Sequence, residues 1–160
     1  MEEKNYYAMP LITMAAVTGF VAGVIGSLMG YLVYYLNFTE ISPGIILAPW
    51  KGDWKHGWPG ILLAVAIYGL VSILPALIYY GTLKKRKSFW WGIFYGVLIF
   101  LLVFLVIYPL FPETKSLLAY DFNTILTGIC TFILYGVFIG YSISYEYEEF
   151  LYLQEVDPKR

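Results

Sequence analysis

Read from its N-terminus, the chain alternates between long apolar stretches and short charged ones. Asp, Glu, Lys and Arg are absent from residues 5–39, 56–83, 88–112 and 122–145, and each stretch is 24 residues or longer. A helix rises about 1.5 Å per residue, so about 20 apolar residues cross the hydrocarbon of a bilayer. Backbone amides find no water there, which makes each run helical rather than extended. The pattern predicts helices over residues 10–36, 60–83, 89–108 and 123–145. Helices of a soluble bundle would carry a charged outer stripe, and none of these does. The expected fold is all-α: a single integral membrane domain over residues 1–160, built as a four-helix transmembrane bundle. An outer loop at 37–59, an inner basic loop at 84–88 and an inner acidic tail at 146–160 join and end the spans.

Lys and Arg beside the helix ends set the orientation. Lys4, Lys84, Lys85, Arg86, Lys87, Lys159 and Arg160 fall on one side, seven in all, against Lys51, Lys55 and Lys115 on the other. Both termini are therefore expected in the cytoplasm, with Lys84, Lys85, Arg86 and Lys87 resting against anionic lipid headgroups. Glu2 and Glu3 stand where a signal peptide has basic residues, so the first helix is expected to be retained. Tyr34, Tyr35, Tyr79, Tyr80, Trp90 and Trp91 mark helix ends, where a ring sits in hydrocarbon and its polar atom stays wet. Pro75, in the middle of the second helix, removes a backbone hydrogen bond and predicts a kink. The tail from Tyr145 is expected to continue as a short helix whose acids pair with the basic loop.

The two halves are related in pattern. Shifting the chain by 73 positions aligns residues 19–40 with 92–113 without a gap, and nine of 22 pairs are identical, among them Gly19/Gly92, Gly23/Gly96, Tyr35/Tyr108, Phe38/Phe111 and Glu40/Glu113. The second and fourth helices share mainly Tyr68-Gly69 and Tyr135-Gly136. Membrane helices use a small alphabet, so duplication of a helical hairpin and chance similarity stand level. Gly19, Gly23, Gly26 and Gly30 recur at intervals of 4, 3 and 4, which puts them on one face of the first helix. Gly92 with Gly96 and Gly136 with Gly140 repeat the four-residue spacing. Such faces let another backbone approach closely, either inside the bundle or across a homo-oligomer seam.

The chemistry on offer is sparse. Hydrophobic residues make up 60% of the chain and charged residues 13%, with a net charge of -1, which excludes a strongly basic nucleic-acid binder. One Cys (Cys130) excludes an intramolecular disulfide, and with one His (His56) it excludes a Cys/His zinc site. Cys130 falls within the fourth helix, where apolar burial is expected to keep it inert. Motifs for nucleophilic catalysis, phosphate cradling or a cofactor are missing, and no ionisable Asp, Glu, Lys, Arg or His lies within a span, which argues against proton relays and coupled transport. Thr124, Thr127 and Thr131 share a face and are expected to bond across helices. On the outer side Glu40 and Glu113 occupy equivalent places, as a cation or partner site or as polar residues ending their helices. Asp53 and His56, three apart, can meet on one helical turn, as a surface pair or as the seat of a catalytic group. Trp50, Trp54 and Trp58 fit either an interfacial helix or a set of turns with indole anchors.

Several strings carry a family resemblance: Tyr35-Leu36-Asn37-Phe38-Thr39-Glu40, then Pro49-Trp50, Trp54-Lys55 and Gly57, and last Tyr135-Gly136 with the run from Ile139 to Glu146. Through them the chain resembles the YqhR family, small conserved membrane proteins of spore-forming Gram-positive bacteria. The resemblance implies a multi-pass protein of the plasma membrane and brings no catalytic residues. The leading expectation is a structural or accessory protein that assembles with itself or with another membrane protein; the alternative is a small oligomeric transporter or channel. Reporter fusions test the frame directly. A cytoplasmic reporter should be active at Arg86 and silent at Gly52, and the reverse pattern would invert the topology.

Overall fold

The computed structural model describes residues 10–86, 88–111 and 117–156. Within them the chain forms α1 (Leu11–Tyr35), α2 (Trp58–Leu83), α3 (Phe89–Leu102) and α4 (Phe122–Val156), with no strand among the described residues. All four helices, α3 counted through Ile107, are long and apolar enough to cross a membrane. Large apolar side chains cover the outside: Leu62 is 68% exposed and Leu74 64%. Water would penalise such a surface, whereas lipid matches it.

The helix boundaries follow local chemistry. Asn37 adopts a φ of 59°, a left-handed conformation that Asn tolerates, and the Phe38 N–H closes back on the Val33 carbonyl at 2.9 Å, ending α1. Pro59 sits in the first turn of α2, where its missing N–H costs nothing. Pro75 lies inside α2 without ending it. The third span departs from its predicted form: after Leu102 it widens into a π-helical turn (Val103–Ile107) and then a short 3-10 turn (Tyr108–Leu110). The fourth runs as one continuous helix far past residue 145, so the expected tail helix is its uninterrupted extension.

Two antiparallel hairpins, α1 with α2 and α3 with α4, make up the bundle, and α4 also packs along α1 and α2. The backbones of α2 and α3 scarcely approach one another. Each hairpin closes on facing glycines. A carbon added at Gly23 would lie 2.5 Å from the Tyr68 carbonyl oxygen and 2.9 Å from Gly69 Cα. One added at Gly136 would lie 2.5 Å from both Gly92 O and Gly96 Cα. Gly19 meets Ala76 and Ser72 of α2 in the same manner as Gly92 meets Val137 of α4. The glycines matched between the halves thus perform matched tasks: Gly23 faces Gly69, and Gly96 faces Gly136. Gly140 continues the second seam, a carbon there lying 3.1 Å from Gly92 Cα. Without a hydrophobic drive between helices in lipid, this closeness supplies the dispersion contact that holds them.

Gly26 and Gly30 part from this pattern. A carbon at Gly26 meets only Tyr135 at 3.6 Å, and one at Gly30 meets Pro43 at 3.1 Å, so neither abuts a helix backbone. Substitution should separate the two classes. Gly96→Leu or Gly23→Leu forces backbones apart and should lower the thermal midpoint in detergent by several degrees, consistent with overpacking costs of about 1–3 kcal/mol or more. Gly81→Leu, with nothing within 4 Å of the added carbon, should leave it unchanged.

Candidate functional site

The loop between α1 and α2 is the element that shapes the interior. From Ile41 to Trp50 it carries no charge, and at Pro43–Leu47 it forms a 3-10 turn, started by Ser42 Oγ accepting from the Gly44 N–H. Leu47, fully buried, packs with Tyr31 and Ala64 of the first hairpin. Ile41 and Ile45 instead reach the second hairpin, against the cluster of Phe100 and Phe104 with Phe132 close by. The loop therefore spans both hairpins at one end of the bundle. Hydrogen bonds fix it to α4: the Glu40 N–H donates to Thr124 Oγ1 at 3.0 Å, and Thr127 Oγ1 donates to the Phe38 carbonyl at 3.2 Å. Tyr68 of α2 donates to the Pro43 carbonyl at 3.1 Å.

Beneath this cap the four helices enclose a partly open cavity of about 300 Å³. Gly26 and Gly30 form its α1 wall, Val71, Ser72 and Pro75 its α2 wall, Ile99, Val103 and Phe104 its α3 wall, and Gly128, Thr131 and Tyr135 part of its α4 wall. At the other end Pro75 and Ile99 line the hollow, and one turn beyond them side chains join α2 to α3. The rings of Tyr79 and Tyr95 meet edge to face with centroids 5.1 Å apart, and Tyr95 donates to the Pro75 carbonyl at 2.6 Å. The π-helical turn of α3 lies along the cavity, contributing Val103, Phe104 and Ile107. Left empty in a sealed core, such a volume would cost about 7 kcal/mol.

The lining is mostly hydrocarbon, and its polar groups are engaged. Ser27 Oγ donates to the Val24 carbonyl at 2.9 Å and Thr131 Oγ1 to the Thr127 carbonyl at 2.8 Å. Ser72 and Tyr135 share a hydrogen bond that ties α2 to α4. Thr39 Oγ1 accepts from the Ile41 N–H at 3.2 Å. Among the described residues no buried side-chain nitrogen or oxygen lacks a partner. Thr124 and Thr127 bond to the backbone of the first loop and Thr131 within its own helix, so the bonds expected between helices do not form, because the loop lies between these hydroxyls and the first hairpin.

The other sequence-derived candidates are scattered. Glu40 is exposed beside the cap, and Glu113 lies outside the described residues, as does Lys115. Asp53 and His56 begin and end one 3-10 turn, with Asp53 exposed. Trp50 lies in a turn, Trp54 in the 3-10 turn and Trp58 at the start of α2, all exposed, so they do not share one interfacial helix and the reading as turns fits Trp50 and Trp54. No group of three or more His, Cys, Asp or Glu suited to a metal forms among the described residues. Cys130 corrects an expectation: its side chain is exposed on the outside of α4, not buried. At the opposite end of the bundle, Lys84 lies over the rings of Tyr80 and Tyr147, at 4.2 and 5.0 Å from their centroids, and Arg86 lies over Trp91 at 5.0 Å. Lys85 is exposed, and Lys87, like Lys4, Lys159 and Arg160, lies outside the described residues. Ser144 donates to the Arg86 carbonyl at 3.3 Å, so the basic loop is pinned to α4 by ring faces and a hydroxyl.

Comparison with known proteins agrees with this architecture. The family model described as conserved membrane protein YqhR matches residues 1–157. The chain belongs to the YqhR family. It is 43% identical over 152 residues to the uncharacterized protein YqhR of Bacillus subtilis (strain 168), covering 92% of this chain and 85% of that one. No solved structure matches. Membership makes this a conserved membrane protein, as the four apolar helices require.

The cavity itself escaped the sequence reading. One signal was present: ten residues from Ile41 to Trp50 without a charge are too apolar for an ordinary exposed loop. The Ser72–Tyr135 bond offers a direct test of how the walls are held. Ser72→Ala and Tyr135→Phe should each destabilise the detergent-solubilised protein by about 0.5–2 kcal/mol. The double variant should cost clearly less than their sum, whereas additive losses would show the two groups to be independent.

Proposed function

We propose that this protein is a structural or accessory component of the bacterial plasma membrane, with both termini in the cytoplasm, that assembles with itself or with another membrane protein. The observation that carries the reading is the reach of α4. Past Ser144, which is bonded to the loop closing the other end of α2, the helix continues to Val156, a further run of about 18 Å. That arm carries Tyr145, Leu151 and Tyr152 exposed, with Glu148 among them. Aromatic rings interspersed with acids on a projecting helix suit a protein contact better than bare solvent. The lysine and arginine bias toward this end supports its cytoplasmic side.

The interior supports the same reading. Hydroxyls along the cavity are bonded within the protein, residues 10–36, 60–83, 89–108 and 123–145 hold no charged side chain, and the first loop lines one end of the cavity. A second reading, a small oligomeric transporter or channel, draws on that same Ser- and Thr-bearing cavity. Reconstitution separates the two. Liposomes carrying the protein should show no ion or small-solute flux above protein-free controls. In mild detergent the full chain should retain a partner, or a second copy, that is lost on deleting residues 148–160. Solute flux, or association indifferent to that deletion, would overturn the accessory reading.

A further inference from the structure

We infer that the cavity is a binding site for one acyl chain of a bilayer phospholipid, admitted sideways between α2 and α3. It goes beyond the accessory reading and does not depend on it. The opening is set by packing. The backbones of α2 and α3 scarcely approach, and the two helices meet through Tyr79, Tyr95 and Pro75 at the floor of the hollow. Above that floor, Val71 of α2 and Ile107 of α3 both line the cavity and are still 49% and 39% exposed. They form the rim of a slot that faces the hydrocarbon layer.

The chemistry of the walls selects the occupant. An ion or sugar entering the slot would lose its water against walls that are mostly hydrocarbon, with the hydroxyl hydrogens of Ser27 and Thr131 already given to backbone carbonyls, so it would be poorly compensated. A hydrocarbon chain needs no such partners and gains dispersion contact with Ile99, Val103, Phe104 and Phe132. Water is disfavoured for the same reason, since an ordered water needs two to four polar partners. A transmembrane helix of a second protein cannot run through, because the slot is closed by Pro43–Leu47 at one end and by the tyrosine pair at the other. A lipid tail has one free end and enters from the side. The surrounding leaflet supplies it at the concentration of bulk hydrocarbon, so a weak preference suffices for occupancy.

Gly26 gives the site a handle. A first carbon there is tolerated, with Tyr135 at 3.6 Å, and anything longer extends into the hollow. The test uses the full chain in bilayers containing a phosphatidylcholine with a photoreactive diazirine near the end of one acyl chain. After illumination, labelled residues are mapped by mass spectrometry. Wild type should be labelled at cavity positions such as Ile99 and Val103 as well as on the outward face at Leu62 and Leu74. Gly26→Leu should reduce interior labelling at least fivefold and leave the outward labelling unchanged. Val71→Trp, which fills the slot from its half-exposed rim position on a different helix, should do the same, so a folding defect in the first variant leaves the second to decide. Labelling confined to the outward face, or interior labelling that neither variant reduces, would overturn the proposal. The liposome flux assay reads the accessory proposal separately: flux with interior labelling would reject the accessory role and keep the lipid site, and absent labelling without flux would do the reverse.

Discussion

Apolar helices in a bilayer gain little by hiding from lipid, because lipid is as apolar as they are. What they gain by touching must come from fit and from hydrogen bonds that hydrocarbon cannot supply. In this protein the fit is concentrated where backbones meet at glycine: Gly19 and Gly23 against α2, and Gly92, Gly96 and Gly136 against one another. Everything else in the bundle is arranged around those two seams. They set the distance within each hairpin, and the hairpins then lean together through α4, leaving α2 and α3 apart.

That separation explains why the first loop is built as it is. A gap between hairpins at the membrane boundary would expose the backbone of any segment covering it, and such groups need partners. The loop meets this need locally, through its 3-10 turn and the Ser42 hydroxyl, and at a distance, through Thr124, Thr127 and Tyr68. Its Ile and Leu side chains then pack downward into both hairpins. The result is a wall of side chains in which hydroxyls serve the protein's own backbone. Polarity along the cavity is structural glue, which is why counting Thr and Ser along a membrane helix says little about what passes it.

Much of the fold was legible in the residues because its cause is one-dimensional. Uncharged length, with the basic run at Lys84–Arg86 and the proline at Pro59, marks where helices start and stop: all four helices start within two residues of their predicted positions, and the first two also end within one. The glycines named candidate seams for the same reason, since spacing alone puts residues on one face. The sequence could not say which glycine of a stripe would meet a backbone. Gly19 and Gly23 do, whereas Gly26 and Gly30, on the same face, meet a tyrosine ring and a proline ring. That outcome depends on where α4 and the first loop come to lie, which is a property of the assembled bundle. The π-helical turn at Val103 and the outward face of Cys130 were hidden for the same reason.

The cavity follows from a broken symmetry between the halves. Positions 26 and 30 of α1 correspond to Ile99 and Val103 of α3 under the shift that aligns the matched glycines. Had both helices carried Ile and Val there, four branched side chains would compete for the space at the centre. Had both carried glycine, the hairpins would be free to close as tightly as each does internally. One small pair opposite one large pair gives neither result, and α3 adds a wider π-helical turn on its own side. The hollow thus arises where the two halves, alike at their seams, differ in side-chain size. A duplicated hairpin that only needed to be stable would be expected to fill that centre with matched apolar side chains. Retaining small residues on one side and a loop cap above them keeps the space open at a cost in packing, and that cost is offset once a hydrocarbon chain from the surrounding leaflet occupies it.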